Sequence, residues 1–319
     1  MGKYSAETLS ANYLMRKLKG ISKNIKFFGI IFFVLCMCFL VKTQAQTPEQ
    51  IHYFSERIEF GTEDIKRNAL FDLRNYRTET ASRIAIPALK DSLEIVRATA
   101  THSVVFLPKN EAVQVLLPLL NEKSEFVRRE TAYALGEVES DLAIQSLINL
   151  LQKDKKLEVR TASAIALGQI GDISATLVLM NILQKKPKDN ERFLRRAAAR
   201  SIGQIAQNLQ RGDEEPLVTP ESFLPENFKE FIIPKYCRLI ETFPVFQNAN
   251  ALLIRILQNE KETDDTKREA AFALGEIGDA SSVPILTTNL NSEDYYLAEI
   301  SEESLRKVYQ NIKLIKSDN

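Results

Sequence analysis

The 319-residue chain has no tryptophan and only two histidines, His52 and His102. A histidine-built metal centre needs several imidazoles at fixed spacing. His52 precedes Tyr53 and His102 precedes Ser103, so ligand number and spacing are both wrong, and neither metal nor cofactor is expected. Cysteine is scarce as well. Cys36 and Cys38 share one apolar run and only Cys237 lies beyond it, so loss of that run leaves no pair for an intrachain disulfide. Cys237 has no histidine near it in sequence and reads as a small apolar side chain, not a nucleophile. Basic runs are missing after residue 45, where 35 Lys and Arg face 41 Asp and Glu, a net of −6. Nucleic-acid binding rests on neutralising phosphates, so a nucleic-acid partner is not expected. What the chain does hold is apolar. At 45% hydrophobic and 26% charged residues it can bury a large core, and disorder of the whole chain is excluded.

In the first 45 residues acids are scarce instead. Glu7 stands alone against Lys3, Arg16, Lys17, Lys19, Lys23, Lys26 and Lys42. Phe27 to Val41 follows as fifteen uncharged, mostly apolar residues. As a helix it would span about 22 Å, short of the roughly 30 Å hydrocarbon core. The basic segment, the short apolar run and Ala45 near its exit read as a secretory signal over residues 1–46, with Met15 as an alternative start. The competing reading is an uncleaved anchor at residues 27–41 with its basic end in the cytoplasm. Lipidation at Cys36 or Cys38 is a third option, without the small residue that usually precedes such a cysteine. All three place the body outside the cytoplasm, in the periplasm or cell envelope, with the membrane touched only through this segment.

Residues 47–319 repeat. Val127-Arg-Arg-Glu-Thr-Ala-Tyr-Ala-Leu-Gly136 returns as Val159-Arg-Thr-Ala-Ser-Ala-Ile-Ala-Leu-Gly168 and as Thr266-Lys-Arg-Glu-Ala-Ala-Phe-Ala-Leu-Gly275. A period near 32 residues marks stacked helical hairpins. With Val127 as position zero, the equivalents are Ile65, Val96, Val159, Leu194, Thr266 and Leu297. Position four is small (Ala69, Ala100, Thr131, Ser163, Ala198, Ala270) and position eight is branched (Leu73, Val104, Leu135, Leu167, Ile202, Leu274). Offsets of 0, 4, 8 and 11 share one face of a helix. Gly136, Gly168, Gly203 and Gly275 occupy position nine, where glycine costs about 1 kcal/mol against alanine, so a close crossing of the partner helix is expected there. Gly171-Asp172 and Gly278-Asp279 supply a helix stop and an N-cap. Pro87 and Pro118 fall at one register of successive second helices and should kink them. Thr47-Pro48 opens a helix to about Phe60 that covers the N-terminal end of the stack, and Leu297 to about Ile315 closes the other end. The expected fold is all-α, a right-handed α-solenoid of about six hairpins with capping half-repeats.

The unit Val-Arg-x-x-x-Ala-x-Ala-Leu-Gly-x-Ile-Gly-Asp followed by a leucine-rich helix resembles the short HEAT repeats of phycobilisome-lyase-like proteins. The resemblance runs from Ile65 to the C-terminus. It implies that Arg97, Arg128, Arg160 and Arg195, with Asp172 and Asp279, link successive hairpins, and that Lys66 and Lys267 stand in for the arginine. The first two repeats lack the Gly-Asp. The resemblance also implies a lyase-like accessory factor, or a non-metal enzyme, as the alternative to a scaffold. No residue stands out as catalytic, and an exported body would not meet a phycobiliprotein. A HEAT-like iron hydroxylase carries paired His-Glu steps, which this sequence lacks.

Between Gly203 and Thr266 the pattern is broken by about forty extra residues. Insertions in repeat arrays collect on one face, often the binding face. The insertion 209–247 in the fifth hairpin is rich in aromatics, and Phe223, Phe228, Phe231, Tyr236, Phe243 and Phe246 are candidate interface anchors. A weaker candidate is the row at position six, Phe71, His102, Tyr133 and Phe272, expected on the convex side, with Arg67, Arg129 and Arg268 stacking on Phe71, Tyr133 and Phe272 one turn later. The acid pairs Glu122/Glu125 and Asp264/Asp265 read as solvated turns. The functional expectation is an exported scaffold that binds another protein without catalysis, through the insertion or the groove of second helices.

Overall fold

The computed structural model describes residues 47–211 and 239–317. The expected leader or anchor at 27–41 lies outside these residues, as do Phe223, Phe228, Phe231, Tyr236 and Cys237. Among the described residues no helix is long and apolar enough to cross a membrane, and no strand occurs. From Pro48 onward the chain is one compact unit. It opens with α1 (Pro48–Phe60) and continues with hairpins whose first helices are α2 (Glu63–Tyr76), α4 (Glu94–Ser103), α6 (Glu125–Val138), α8 (Leu157–Ile170), α10 (Arg192–Arg211) and α13 (Asp264–Ile277). The second helices are α3 (Glu79–Ala85), α5 (Lys109–Leu116), α7 (Ile144–Lys153), α9 (Thr176–Leu183), α12 (Val245–Gln258) and α14 (Val283–Asn289). A short α11 (Leu239–Thr242) leads into α12, and α15 (Tyr295–Ser317) closes the stack. Each first helix packs on the next, from α2 through to α15. This is an all-α solenoid of six hairpins between two capping helices.

The core follows the period. Every position-four residue and every position-eight residue from α2 to α13 is buried, as is position zero from Val96 to Leu297, while Ile65 at the start is half-buried. The hydroxyls at position four are satisfied locally: Thr131 Oγ1 donates to the Val127 carbonyl at 2.7 Å and Ser163 Oγ to that of Val159 at 2.9 Å. A buried hydroxyl left unpaired would cost about 1–3 kcal/mol.

The position-nine glycines sit at close crossings, with one correction. The neighbour is the next first helix and not the partner within the hairpin. A Cβ on Gly136 would lie 2.8 Å from the Ala166 Cα, and one on Gly203 2.9 Å from the Ala273 Cα. At the crossings of Gly168 and Gly275, and at that between α2 and α4, Ser201, Ser304 and Ser103 donate to the carbonyls of Ala164, Ala271 and Leu70 on the preceding first helix, at 2.8, 2.8 and 2.9 Å. Three of the crossings between successive first helices are thus tied by side-chain bonds to backbone. Gly171 and Gly278 end α8 and α13 with φ of 80° and 73°, while α2 and α6, which lack the glycine, end on Arg77 and Glu139 at φ 53° and 51°. Pro87 and Pro118 do change their helices: after α3 and α5 the chain tightens into 3-10 turns at Ile86–Lys90 and Leu117–Asn121. The missing N–H at each proline explains the switch.

Candidate functional site, the first-helix face

Two grooves open on the first-helix face. The larger, about 520 Å³, lies between α6, α8 and α10 and is lined by Arg129, Tyr133, Ile165, Phe193, Arg196 and Arg200 among others. The smaller, about 320 Å³, lies between α2, α4 and α6 and is lined by Arg67, Phe71, Arg74, Ile95, His102 and Phe126 among others. Glu130 belongs to both. The position-six residues Phe71, His102, Tyr133, Ile165 and Arg200 therefore line a row of grooves between successive first helices.

At the junction of the two grooves stands a charged chain. His102 on α4 faces Glu137 with Nδ1 at 3.0 Å and Glu130 with Nε2 at 3.0 Å, both carboxylates coming from α6. Arg74 on α2 reaches Glu137 at 3.1 Å, and Arg129 reaches Glu130 at 2.9 Å. Both ring nitrogens can donate only as imidazolium. Burial disfavours that charge, but the bonds to Glu130 and Glu137 outweigh it and raise the His102 pKa above its ordinary value. Burial likewise works against the ionised Glu130 and Glu137, and their bonds to His102 and the arginines outweigh it and lower both pKa values. The set holds its charges fixed, as a structural tie does.

The linking role of the motif arginines is carried by partners in the loops. Lys66 meets Asp91 at 2.6 Å, Arg97 meets Glu122 at 3.2 Å, and Arg128 grips Asp154 with Nε at 2.7 Å and Nη2 at 3.1 Å. Arg195 is fully buried and holds both carboxylate oxygens of Glu262 while donating to the carbonyls of Ile182, Leu183 and Lys185. Three expectations are corrected here. Glu122 is an arginine partner and not a solvated turn; Glu125 and Asp265 pair with Lys156 at 2.5 Å and Arg268 at 2.8 Å but stay solvated, 43% and 52% exposed. In the last hairpin Arg268, one residue after Lys267, makes the link, to Asp294 at 2.8 Å. Asp172 caps the turn after α8 through the Ser174 amide at 2.8 Å and, among the described residues, makes no bond to a neighbouring hairpin, whereas Asp279 caps the Ser281 amide and also accepts from Asn250 of the preceding hairpin at 3.4 Å.

The expected ring stacking is redistributed. Arg129 lies over Phe126 at 4.8 Å and Arg268 over Tyr296 at 5.2 Å, while Arg67 turns to Glu63 and Asp64. Phe272 is covered instead by Arg200 at 5.2 Å and Lys307 at 5.7 Å. Phe71 keeps 48% of its surface exposed. Of the insertion's aromatics, Phe246 is fully buried in α12 and Phe243 half-buried against the core, so these two fasten the fifth hairpin instead of facing outward. The stretch 209–247 includes the end of α10 and the start of α12, and Leu239 within it is buried. Phe193, 53% exposed, and Arg192 escaped notice in the sequence because they precede position zero of their helix, while Arg196 shares position two with Arg67, Arg129 and Arg268. The signal that was present is a base at position six facing an acid at position three of the next first helix, as His102 faces Glu130 and Arg200 faces Glu269.

Among the described residues no group of histidine, cysteine and carboxylate side chains could hold a metal ion. None of the curated proteins matches the chain. Solved structures of similar shape include the CpcE–CpcF complex of phycocyanin lyase from Nostoc sp. PCC7120, 20% identical over 85% of this chain and 94% of that one, TM-score 0.46. Human deoxyhypusine hydroxylase is 15% identical over 83% and 86%, TM-score 0.35. A designed armadillo repeat protein is 15% identical over 81% and 99%, TM-score 0.42. The family model for HEAT repeats matches residues 58–136 and 116–203, and that for the PBS lyase HEAT-like repeat matches residues 266–292. With the six stacked hairpins, these matches make the chain a member of the HEAT-repeat proteins, its last hairpin of the PBS lyase HEAT-like kind.

Proposed function

We propose that this protein is an exported scaffold that binds another protein along the grooves of its first helices. One observation carries the reading: two grooves lie in line, share Glu130, and are walled by arginines and aromatic rings. Arginine and aromatic side chains are the types enriched where interfaces hold most of their energy. A catalytic reading has less support, because His102, Glu130 and Glu137 are paired with one another in a tie between hairpins. Export rests on the basic segment and apolar run that precede the repeats.

The test is affinity capture with the tagged full chain from its own cells. A Phe193→Ser/Arg200→Glu double variant should lose the captured protein while Phe228→Ser retains it. The reverse result would move the interface to the insertion. Protease accessibility in intact and envelope-permeabilised cells checks export, and a body that stays protected after permeabilisation of the outer envelope would refute it.

A further inference from the structure

We infer that the larger groove takes an extended segment of the partner bearing one aromatic or branched apolar side chain followed by carboxylates. The inference rests on the first-helix face being the docking surface, and it names the chemistry that docks there.

The groove floor is apolar, with Tyr133, Leu157, Ile165 and Ala197 along it. At about 520 Å³ it falls within the roughly 300–1,000 Å³ of sites that enclose a drug-sized group, so a single large side chain and its flanking backbone fit. One wall is cationic. Arg196 and Arg200 line it, four residues apart on one stripe of α10; Arg192 continues that stripe outside the groove, and no acid interrupts the helix. These arginines are only partly used. Arg196 stands 3.7 Å from Asp265, beyond hydrogen-bond reach, with 47% of its side chain exposed. Arg200 donates Nη1 to Glu269 at 3.0 Å and remains 53% exposed, so guanidinium donors are left for a ligand carboxylate. Phe193 forms the lip between them, its ring centre 4.7 Å from the Arg192 guanidinium carbon and 6.0 Å from that of Arg196.

The opposite side carries one arginine, Arg129, tied to Glu130 at 2.9 Å, against two acids. Glu130 and Glu158 stand there, and Glu130 is fixed by His102 and Arg129. A uniform polyanion lying across the groove would meet those two carboxylates, whereas a segment whose acids face only α10 would not. The asymmetry selects a protein segment over a nucleic acid or polyphosphate.

The experiment is fluorescence polarisation of the full chain with labelled ten-residue probes. One carries a phenylalanine followed by three glutamates, the second has alanine for the phenylalanine, the third has glutamine for each glutamate, and the fourth is an oligothymidylate of equal length. The first should bind at least tenfold more tightly than the others. Arg196→Glu should weaken it at least tenfold and Arg196→Gln about threefold, with helical circular dichroism unchanged in both. Equal binding of the alanine probe or the oligothymidylate, or indifference to both Arg196 variants, overturns the inference. So does a stable dimer seen by sedimentation that Arg196→Glu dissociates, since a second copy of the chain would then be the occupant. If the probes fail while Phe193→Ser/Arg200→Glu still strips the captured protein, the ligand chemistry is wrong and the scaffold reading stands. If the probes behave as expected but capture is unaffected by that variant, the groove is real and the scaffold reading falls.

Discussion

Arg160 and Arg195 hold the same position in consecutive hairpins and are used in opposite ways. Arg195 is 1% exposed, binds Glu262 through two nitrogens and closes three backbone carbonyls behind it. Arg160 is half-buried and, among the described residues, donates to the Leu151 carbonyl alone, at 2.9 Å. The motif residue is identical, so what differs is the loop it meets. Glu262 comes from the turn before α13, 67 residues further along the chain, whereas the loop after α9 opens with Gln184, Lys185 and Lys186 where the other loops place their acid, and its own acids, Asp189 and Glu191, come only later. A link between hairpins is therefore made by the acid supplied from the loop, and the arginine is the constant half.

Breaking the buried link should have the largest effect. Glu262→Ala leaves a guanidinium buried without its counter-charge, and removal of one partner from a buried pair costs about 3–5 kcal/mol. A urea titration followed by circular dichroism should show that loss, and a shift below about 1 kcal/mol would mean that the three carbonyls alone satisfy Arg195. The intermediate case is Asp154, which takes Arg128 through two nitrogens and also caps the Lys156 amide at 2.8 Å. Asp154→Ala should cost about 1.5–3 kcal/mol, the range for hydrogen bonds to a charged group. Burial disfavours the Asp154 carboxylate, yet the Arg128 bond lowers its pKa overall. Its contribution is therefore present above the ordinary aspartate pKa of about 3.9 and fades as pH falls through the lowered value.

His102 provides a tie that can be titrated from above as well. Its raised pKa makes its contribution complete below the ordinary histidine value of about 6.5 and lost as pH rises through the folded value. The lowered Glu130 and Glu137 contribute above about 4.3 and fade below. Wild type should thus exceed His102→Gln by about 1 kcal/mol between those two limits, and the difference should shrink as pH rises past the folded pKa of His102. Melting curves at pH 5.5 and 9 compare the two, and a constant gap would show that His102 acts by packing alone.

These contrasts also explain what the sequence could reveal. Burial forces small or branched residues onto positions zero, four and eight, so the hairpins and their register were legible from residue type alone. The basic half of the links was legible for the same reason from Lys66 to Arg195, since it recurs beside a buried position, but not in the last hairpin, where Arg268 and not Lys267 makes the link. The acid half was not legible: Asp91, Glu122 and Asp154 sit in loops 25 or 26 residues away, and nothing in a turn separates a bonded carboxylate from a solvated one. Helical spacing also proposed Arg129 for Tyr133, but Phe126, three residues earlier on the same helix, is as near a neighbour and took the guanidinium. The grooves depend on how successive helices are spaced, which one helix at a time does not encode.

The smallest effect repairs the missing link. In the intact loops the acid is the residue that leaves the helix in an extended conformation, with ψ of 150° at Asp91, 151° at Glu122 and 140° at Asp154. After α9 Gln184 remains helical with ψ of −23°, so the departure is delayed by about one to two residues. That delay moves the equivalent site to Lys186, which is 26 residues beyond Arg160 and exposed. Lys186→Asp places a carboxylate where the ladder expects one and removes a like charge from the same loop. For a partly exposed pair the gain is about 0.2–1 kcal/mol, visible as a rise in the urea midpoint that diminishes in 1 M salt, where the screening length falls to about 3 Å. The same substitution in an Arg160→Met background should yield no gain; an equal gain there would mean that relief of lysine repulsion, and not a restored rung, is responsible.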